Sequence, residues 1–264
     1  MKIKYVVPLL VFLISCSCQN SPTDQKEIKL EEKAKVQDTL VPKLVLDEEL
    51  KPSYSLEKNG IVLKAIEEMV LTDVSLDLKI TNDPIKPGVN SISIDVEGVD
   101  LASKEYGIQI IQNNGTYASY HQEINTIDLI EGNNVILAVL SNKEGQSLKK
   151  QKAFLFQNIE IGEENVPFDI AAPHLIYNQP RETYSLNDRI LVDFYLINTQ
   201  LSEDGMKVKL SIDETEFIIT QWNTFTLEGL EQGVHKVRIE LIDREGNYVM
   251  GPFNDSGERE FQIQ

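Results

Sequence analysis

The residues able to do chemistry are few and widely spaced. Three histidines, His121, His174 and His235, serve the whole chain. No two stand at i, i+2 or i+4, so a zinc site lacks its ligand set. The only cysteines, Cys16 and Cys18, lie close to the start, and nothing beyond them offers a thiolate nucleophile, a thiolate metal ligand or a disulfide. There is no Gly-x-Ser-x-Gly elbow, phosphate loop or dinucleotide fingerprint. Acid pairs such as Asp95 with Glu97 are what an exposed strand face produces by alternation. The expectation is a non-enzyme with no catalytic residues and no cofactor. Recognition is expected instead at Tyr106, Tyr117, Tyr120 and His121, which gather aromatic contact area in one hairpin. Tyr117 and Tyr120 fall on opposite faces of a strand, so one of them should turn inward. His235 reads as a surface residue, and Trp222, Phe225 and Phe253 as core or sandwich-edge packing. Lys149, Lys150 and Lys152, the one tight basic cluster, are expected to blunt an exposed strand edge.

The start of the chain carries a different chemistry. Met1-Lys2-Ile3-Lys4 is basic and leads into an apolar run from Tyr5 to Ile14, broken by Pro8. That run is far shorter than the roughly 20 residues a helix needs to cross a bilayer, and fits a secretory signal. It ends in Leu13-Ile14-Ser15-Cys16, which resembles the bacterial lipobox. The resemblance implies cleavage between Ser15 and Cys16 and acylation of Cys16; Cys18 has a poorer upstream match. Each buried CH₂ contributes about 0.8 kcal/mol, so two or three acyl chains would anchor the protein stably without spanning the membrane.

From Ser17 to Pro52 there is no aromatic residue, and residues 17–46 balance five acids with five lysines. Such a stretch cannot bury enough apolar surface to order itself, and as a coil it holds the downstream domains roughly 30 Å from the anchor. Within it, Asp38-Thr39-Leu40 resembles the O-glycosylation site of Bacteroidota envelope proteins, which makes Thr39 the implied acceptor. The formal net charge is −17, and the excess lies beyond the tether, −11 over 47–170 and −8 over 171–264. A surface of that sign repels nucleic acid and anionic headgroups.

Beyond the tether the period is two. Val74, Leu76, Leu78 and Ile80 alternate with polar residues, as do Ile92, Ile94 and Val96. Ile127 with Leu129, and Val135 with Leu137 and Val139, read the same way, as do Val208, Leu210, Ile212 and Val237, Ile239, Leu241. This predicts strands with one buried and one wet face. Asn113-Asn114-Gly115, Glu144-Gly145 and Glu245-Gly246-Asn247 supply turns. The halves also repeat: Gly132, Ile136, Ala138 and Leu140 match Gly233, Val237, Ile239 and Leu241 at an offset of 101, and Ile92-Ile94-Val96 aligns with Val208-Leu210-Ile212 at 116. On that alignment the first copy has 15 extra residues. The predicted organisation is all-β: signal peptide 1–15, lipidated cysteine and tether 16–46, and two tandem immunoglobulin-like β-sandwiches, 47–165 and 166–264.

The junction Glu160-Ile161-Gly162-Glu163-Glu164-Asn165-Val166-Pro167-Phe168-Asp169 loosely resembles the calcium linker of cadherin repeats, although Glu163-Glu164 departs from the ligand pattern. It reads as an acidic solvated linker, with Ca²⁺ the alternative.

Residues 175–264 resemble the C-terminal immunoglobulin-like domain of Bacteroidota lipoproteins. The resemblance rests on Val192-Asp193-Phe194-Tyr195-Leu196, Asn198-Thr199, Leu201-Ser202, Asp204-Gly205-Met206-Lys207-Val208, Glu228-Gly229-Leu230, Gly246-Asn247 and Gly251-Pro252-Phe253-Asn254. Some relatives are described as phosphopeptide-binding. A phosphate site wants an arginine cluster, and Arg181, Arg189, Arg238, Arg244 and Arg259 are scattered among sixteen acids, so that ligand is not carried over. The function expected is an envelope lipoprotein that binds a protein or glycan through its sandwiches, or else a scaffold subunit of an envelope complex. Surface export in Bacteroidota is associated with acids soon after the lipidated cysteine. Here Ser17 to Thr23 separate Cys16 from Asp24, which favours the periplasmic face of the outer membrane.

Overall fold

Alternating side chains can close a core only if two sheets face each other, and the chain does this twice. A computed structural model describes residues 54–264 apart from 69, 70, 72, 83, 122–125, 150–152, 163–165 and 182. Strands β1 (Ser55–Lys58) and β2 (Ile61–Ala65) form a hairpin across Asn59-Gly60, both at positive φ as a tight hairpin turn requires. Next come β3 (Ser75–Ile80), β4 (Gly88–Glu97), β5 (Tyr106–Gln112), β6 (Thr116–Tyr120), β7 (Thr126–Leu129), β8 (Gly132–Asn142) and β9 (Phe154–Ile161). The remaining strands are β10 (His174–Gln179), β11 (Thr183–Tyr184), β12 (Ile190–Ile197), β13 (Lys207–Ile212), β14 (Thr215–Ile219), β15 (Phe225–Glu228), β16 (Gly233–Ile242) and β17 (Arg259–Ile263).

The first sandwich packs the sheet β3-β4-β7 on β6-β5-β8-β9. Its core takes Leu76, Leu78, Ile92, Ile94, Ile127 and Leu129 from one sheet and Ile108, Ile110, Ile136, Ala138 and Leu140 from the other. The second packs β1-β2-β15-β12-β10 on β11-β17-β16-β13-β14. Leu175, Tyr177, Val192, Phe194, Phe225 and Leu227 there face Val208, Leu210, Phe217, Val237, Ile239 and Phe261. The all-β, double immunoglobulin-like sandwich is therefore the architecture.

Three expectations change. Residues 55–65 do not belong to the first sandwich: β2 pairs with β15, Leu63 opposite Leu227, and Ile61 and Leu63 are buried in the second core. The first sandwich is thus inserted into the second, and the boundary expected at 47–165 fails at its start. The 15 extra residues also disappear. The pairing of Ile108 with Leu140 and of Val208 with Leu241 makes β5 the counterpart of β13, at an offset of 100. The counterpart of β4 in the second sandwich is β12, since Asn90 of β4 pairs with Ile127 of β7 as Val192 of β12 pairs with Phe225 of β15. Finally, Leu137 and Val139 do not point into the first core. They join Ile111, Ile176, Tyr195 and Ile197 in a third buried cluster between the sandwiches. Strands β8 and β12 are buried almost end to end for this reason: each has a core on both faces.

Candidate functional site

The junction of the two sandwiches holds most of the unusual chemistry, and it is built around one carboxylate. Asp193 interrupts the apolar run of β12 on the face opposite Val192 and Phe194, and is fully buried. Burying a charge is tolerable only when it is paired and its lone pairs are satisfied. Asp193 accepts from Lys149 Nζ at 2.5 Å, Ser147 Oγ at 2.6 Å, Asn178 Nδ2 at 2.7 Å and Thr224 Oγ1 at 3.0 Å. Lys149 and Ser147 come from the first sandwich, so the charge pair straddles the interface. The ammonium also donates to the Phe194 carbonyl at 2.9 Å and lies 4.7 Å from the Tyr195 ring centre and 5.2 Å from that of Trp222. Burial pulls the Lys149 pKa below its ordinary value, against the pull of the Asp193 charge and hydrogen bond. Its side chain is 7% exposed, so Lys149 blunts no edge; Lys150 and Lys152 lie outside the described residues.

Further polar contacts fix the register of the two sheets. Asn178 Nδ2 donates to Gln109 Oε1 at 2.9 Å, Tyr195 Oη to the Leu148 carbonyl at 2.7 Å and Gln179 Nε2 to the Gly145 carbonyl at 3.1 Å. The Asn113-Asn114-Gly115 turn is seated on the second sandwich: the Tyr177 amide donates to Asn114 Oδ1 at 2.8 Å, Arg259 to the Asn114 carbonyl, and Arg181 to the Gly115 carbonyl at 3.0 Å. The guanidiniums of Arg181 and Arg259 lie 5.3 and 4.5 Å from the centre of the Tyr177 ring. Two of the five arginines expected to be scattered do converge. Their donors, however, are committed to carbonyls of Asn178, Tyr177, Gly115, Ser256 and Asn114.

The end of the connecting segment is packed at Phe168 and Asp169. Phe168 stacks on His174 with ring centres 4.9 Å apart, and Phe156 and Phe253 complete an aromatic clasp. His174 Nε2 meets the Asp169 carbonyl at 2.9 Å, and burial lowers its pKa, against the Asp169 contact. Of the acids considered for calcium, Asp169 accepts from the Ala171 amide and Glu160 from Asn158, while Glu163 and Glu164 lie outside the described residues. No group of three or more His, Cys, Asp or Glu gathers among the described residues.

Beside Lys149 the junction opens into a cleft of about 1050 Å³. Phe154 and Phe156, two apart on β9, and Trp222 supply aromatic surface, and Asn198, Thr199 and Gln200 supply polar groups. The indole donates to the Phe194 carbonyl at 2.9 Å, which fixes its plane.

The residues expected at a recognition surface are not gathered there. Tyr106 and Tyr120 pack against the first core, whereas Tyr117 turns to the junction and carries Arg181 over its ring at 5.0 Å. His121 is exposed, its Nδ1 3.2 Å from the Tyr106 carbonyl, in space left by the missing Cβ of Gly107. His235 is less exposed than expected, 12% for its side chain, between Asp213 Oδ2 at 2.8 Å and the Glu231 carbonyl at 2.8 Å. Phe225 is core, and Trp222 and Phe253 pack at the junction. Ser15, Cys16 and Thr39 lie outside the described residues.

No family model and no curated protein matches the chain. Among solved structures it is similar to the fibronectin(III)-like modules of Clostridium thermocellum CbhA, at 11% identity over 71% of this chain and 93% of that one, with a TM-score of 0.24.

Proposed function

We propose that this protein is a non-catalytic lipoprotein of the bacterial cell envelope, held by acyl chains on Cys16 to the periplasmic face of the outer membrane, which binds a protein or glycan ligand where its two sandwiches meet. The observation that carries the binding role is the cleft beside Lys149. It is large, it joins three aromatic side chains to hydrogen-bonding ones, and its walls are held by packing and polar contacts from both sandwiches. Clefts of mixed lining at domain junctions are where ligands bind, and pre-organised walls lower the ordering cost of binding. The anchor rests on Leu13-Ile14-Ser15-Cys16 and the basic, apolar segment before it.

The test is binding of purified envelope proteins and glycans to the full chain carrying Cys16→Ser, alone and with Trp222→Ala or Gln200→Ala. Ligand capture that both cleft substitutions weaken, and Tyr106→Ala does not, is the expected result. A stoichiometric envelope complex indifferent to the cleft would make the protein a scaffold subunit instead. Mass spectrometry of the mature terminus checks the acyl chains, and an unmodified Cys16 would remove the membrane address.

A further inference from the structure

We infer that the ligand of the junction cleft is an uncharged oligosaccharide, an assignment that rests on the binding role proposed above. A pyranose has an apolar C–H face and a rim of hydroxyls, so its site needs aromatic surface beside groups that both donate and accept. The cleft pairs these. Phe154 and Phe156 project from one face of β9, Trp222 comes from the loop before β15, and the aromatic groups are held by edge contacts such as Phe154 on Tyr195, 5.6 Å between ring centres. Along the same wall run Asn198, Thr199 and Gln200. Asn198 sits at φ 54 with its Nδ2 tied to the Ile170 and Ala172 carbonyls at 2.8 and 3.1 Å, which fixes the loop. The side chains of Thr199 and Gln200 make no hydrogen bond among the described residues, so both are available to hydroxyls.

Charge selects against the alternatives. Among the described residues no carboxylate lines the cleft, and the one cation that does, Lys149, is neutralised by Asp193 at 2.5 Å. The described lining thus presents no uncompensated charge, while the −17 chain repels acidic sugars and acidic peptides at longer range. The volume, about 1050 Å³, stands at the top of the usual range for a single small ligand, roughly 300–1,000 Å³, and suits a chain of several sugar units.

Trp222 is the chain's one tryptophan and lines both this cleft and a smaller pocket of about 160 Å³ beside Glu68, Gln146 and Ser147. Its fluorescence therefore reports the junction, and Gln200, which lines the cleft and not the smaller pocket, tells the two apart. The experiment titrates the full Cys16→Ser chain with neutral gluco-, manno- and galacto-oligosaccharides, with their uronic-acid counterparts, and with neutral and basic peptides. At least one neutral oligosaccharide should shift the emission saturably, with an affinity insensitive to salt. Trp222→Ala, followed by calorimetry, should weaken that ligand about tenfold. Gln200→Ala, an exposed change that leaves packing alone, should weaken it by about two- to tenfold, the worth of one hydrogen bond. A peptide or acidic glycan that shifts Trp222 emission in a Gln200-dependent way, with neutral sugars silent, would overturn the sugar assignment and leave the binding role standing. Silence from every class, together with ligand capture indifferent to Gln200 and Trp222, would overturn both.

Discussion

Two histidines respond to pH in opposite senses, and each reports the packing around it. His174 is enclosed by Phe156, Phe168 and Phe253, and its Nδ1 has no partner among the described residues, so protonation there gains little and loses hydration. Its folded pKa lies below the unfolded value of about 6.5, so the folded state binds fewer protons; the stability it contributes is complete above that value and is lost as pH falls below it. Partial burial also pulls His235 down, but the Asp213 hydrogen bond, the Glu231 carbonyl and the Asp213 charge outweigh it and leave the pKa raised. Its contribution is therefore full below about 6.5 and disappears as pH rises through the folded pKa. Denaturant melts between pH 5 and 8 should show His174→Phe removing part of the acid-side loss, and His235→Gln flattening a gain on the same side. Parallel profiles for both variants and the parent would show that neither group is linked to folding. At this scale the sequence is least informative. Asp193 and Lys149 look like surface charges until β12 and the segment after β8 are set face to face, a contact between residues 44 apart that no local pattern encodes.

At the scale of elements, the decisive piece is the β1–β2 hairpin. Gly229 stands at φ +89 just after β15, and a Cβ built on it would lie 2.0 Å from the Gly60 carbonyl oxygen. Gly60 itself, at φ +80, would meet nothing within 4 Å. Both alanine substitutions incur the backbone penalty, about 1–3 kcal/mol, but only Gly229→Ala drives the hairpin away from β15. Gly229→Ala should therefore lower the denaturation midpoint more than Gly60→Ala and accelerate amide exchange across Ile61–Ala65. Equal losses with unchanged exchange would mean that the close approach carries no weight. The alternation Val74–Ile80 and the 101-residue repeat of β8 and β16 are legible because they are local and strongly periodic. Alternation says nothing about strand order, however, so Ile92-Ile94-Val96 of β4 aligns by pattern with β13 although its counterpart is β12. The legible sign of two-sided burial is the unbroken apolar run Val135 to Leu140, in which Ile136, Ala138 and Leu140 face the first core and Leu137 and Val139 the junction.

For the whole molecule, insertion and interface together imply one cooperative unit. Sandwiches in tandem ordinarily move on their linker unless their contact is large and apolar. Here both chain crossings between the sandwiches are pinned, Gln146 Nε2 donating to the Glu67 carbonyl on one side and Phe168 stacked on His174 on the other. Between them lie a third apolar cluster and a buried charge pair, and the described residues fall within a single compact unit. Calorimetry of the full chain should accordingly show one unfolding transition with equal calorimetric and van't Hoff enthalpies. Lys149→Met leaves the Asp193 carboxylate buried without its counter-charge, at a cost of about 3–5 kcal/mol concentrated at the interface. That variant should separate the transition into two, or lower it as a whole if the sandwiches are too dependent on each other to survive alone. Either result marks the junction as the joint that holds the cleft in shape. Two transitions in the parent protein, or a Lys149→Met variant as stable as the parent, would show that the sandwiches fold independently and that the cleft is not pre-formed.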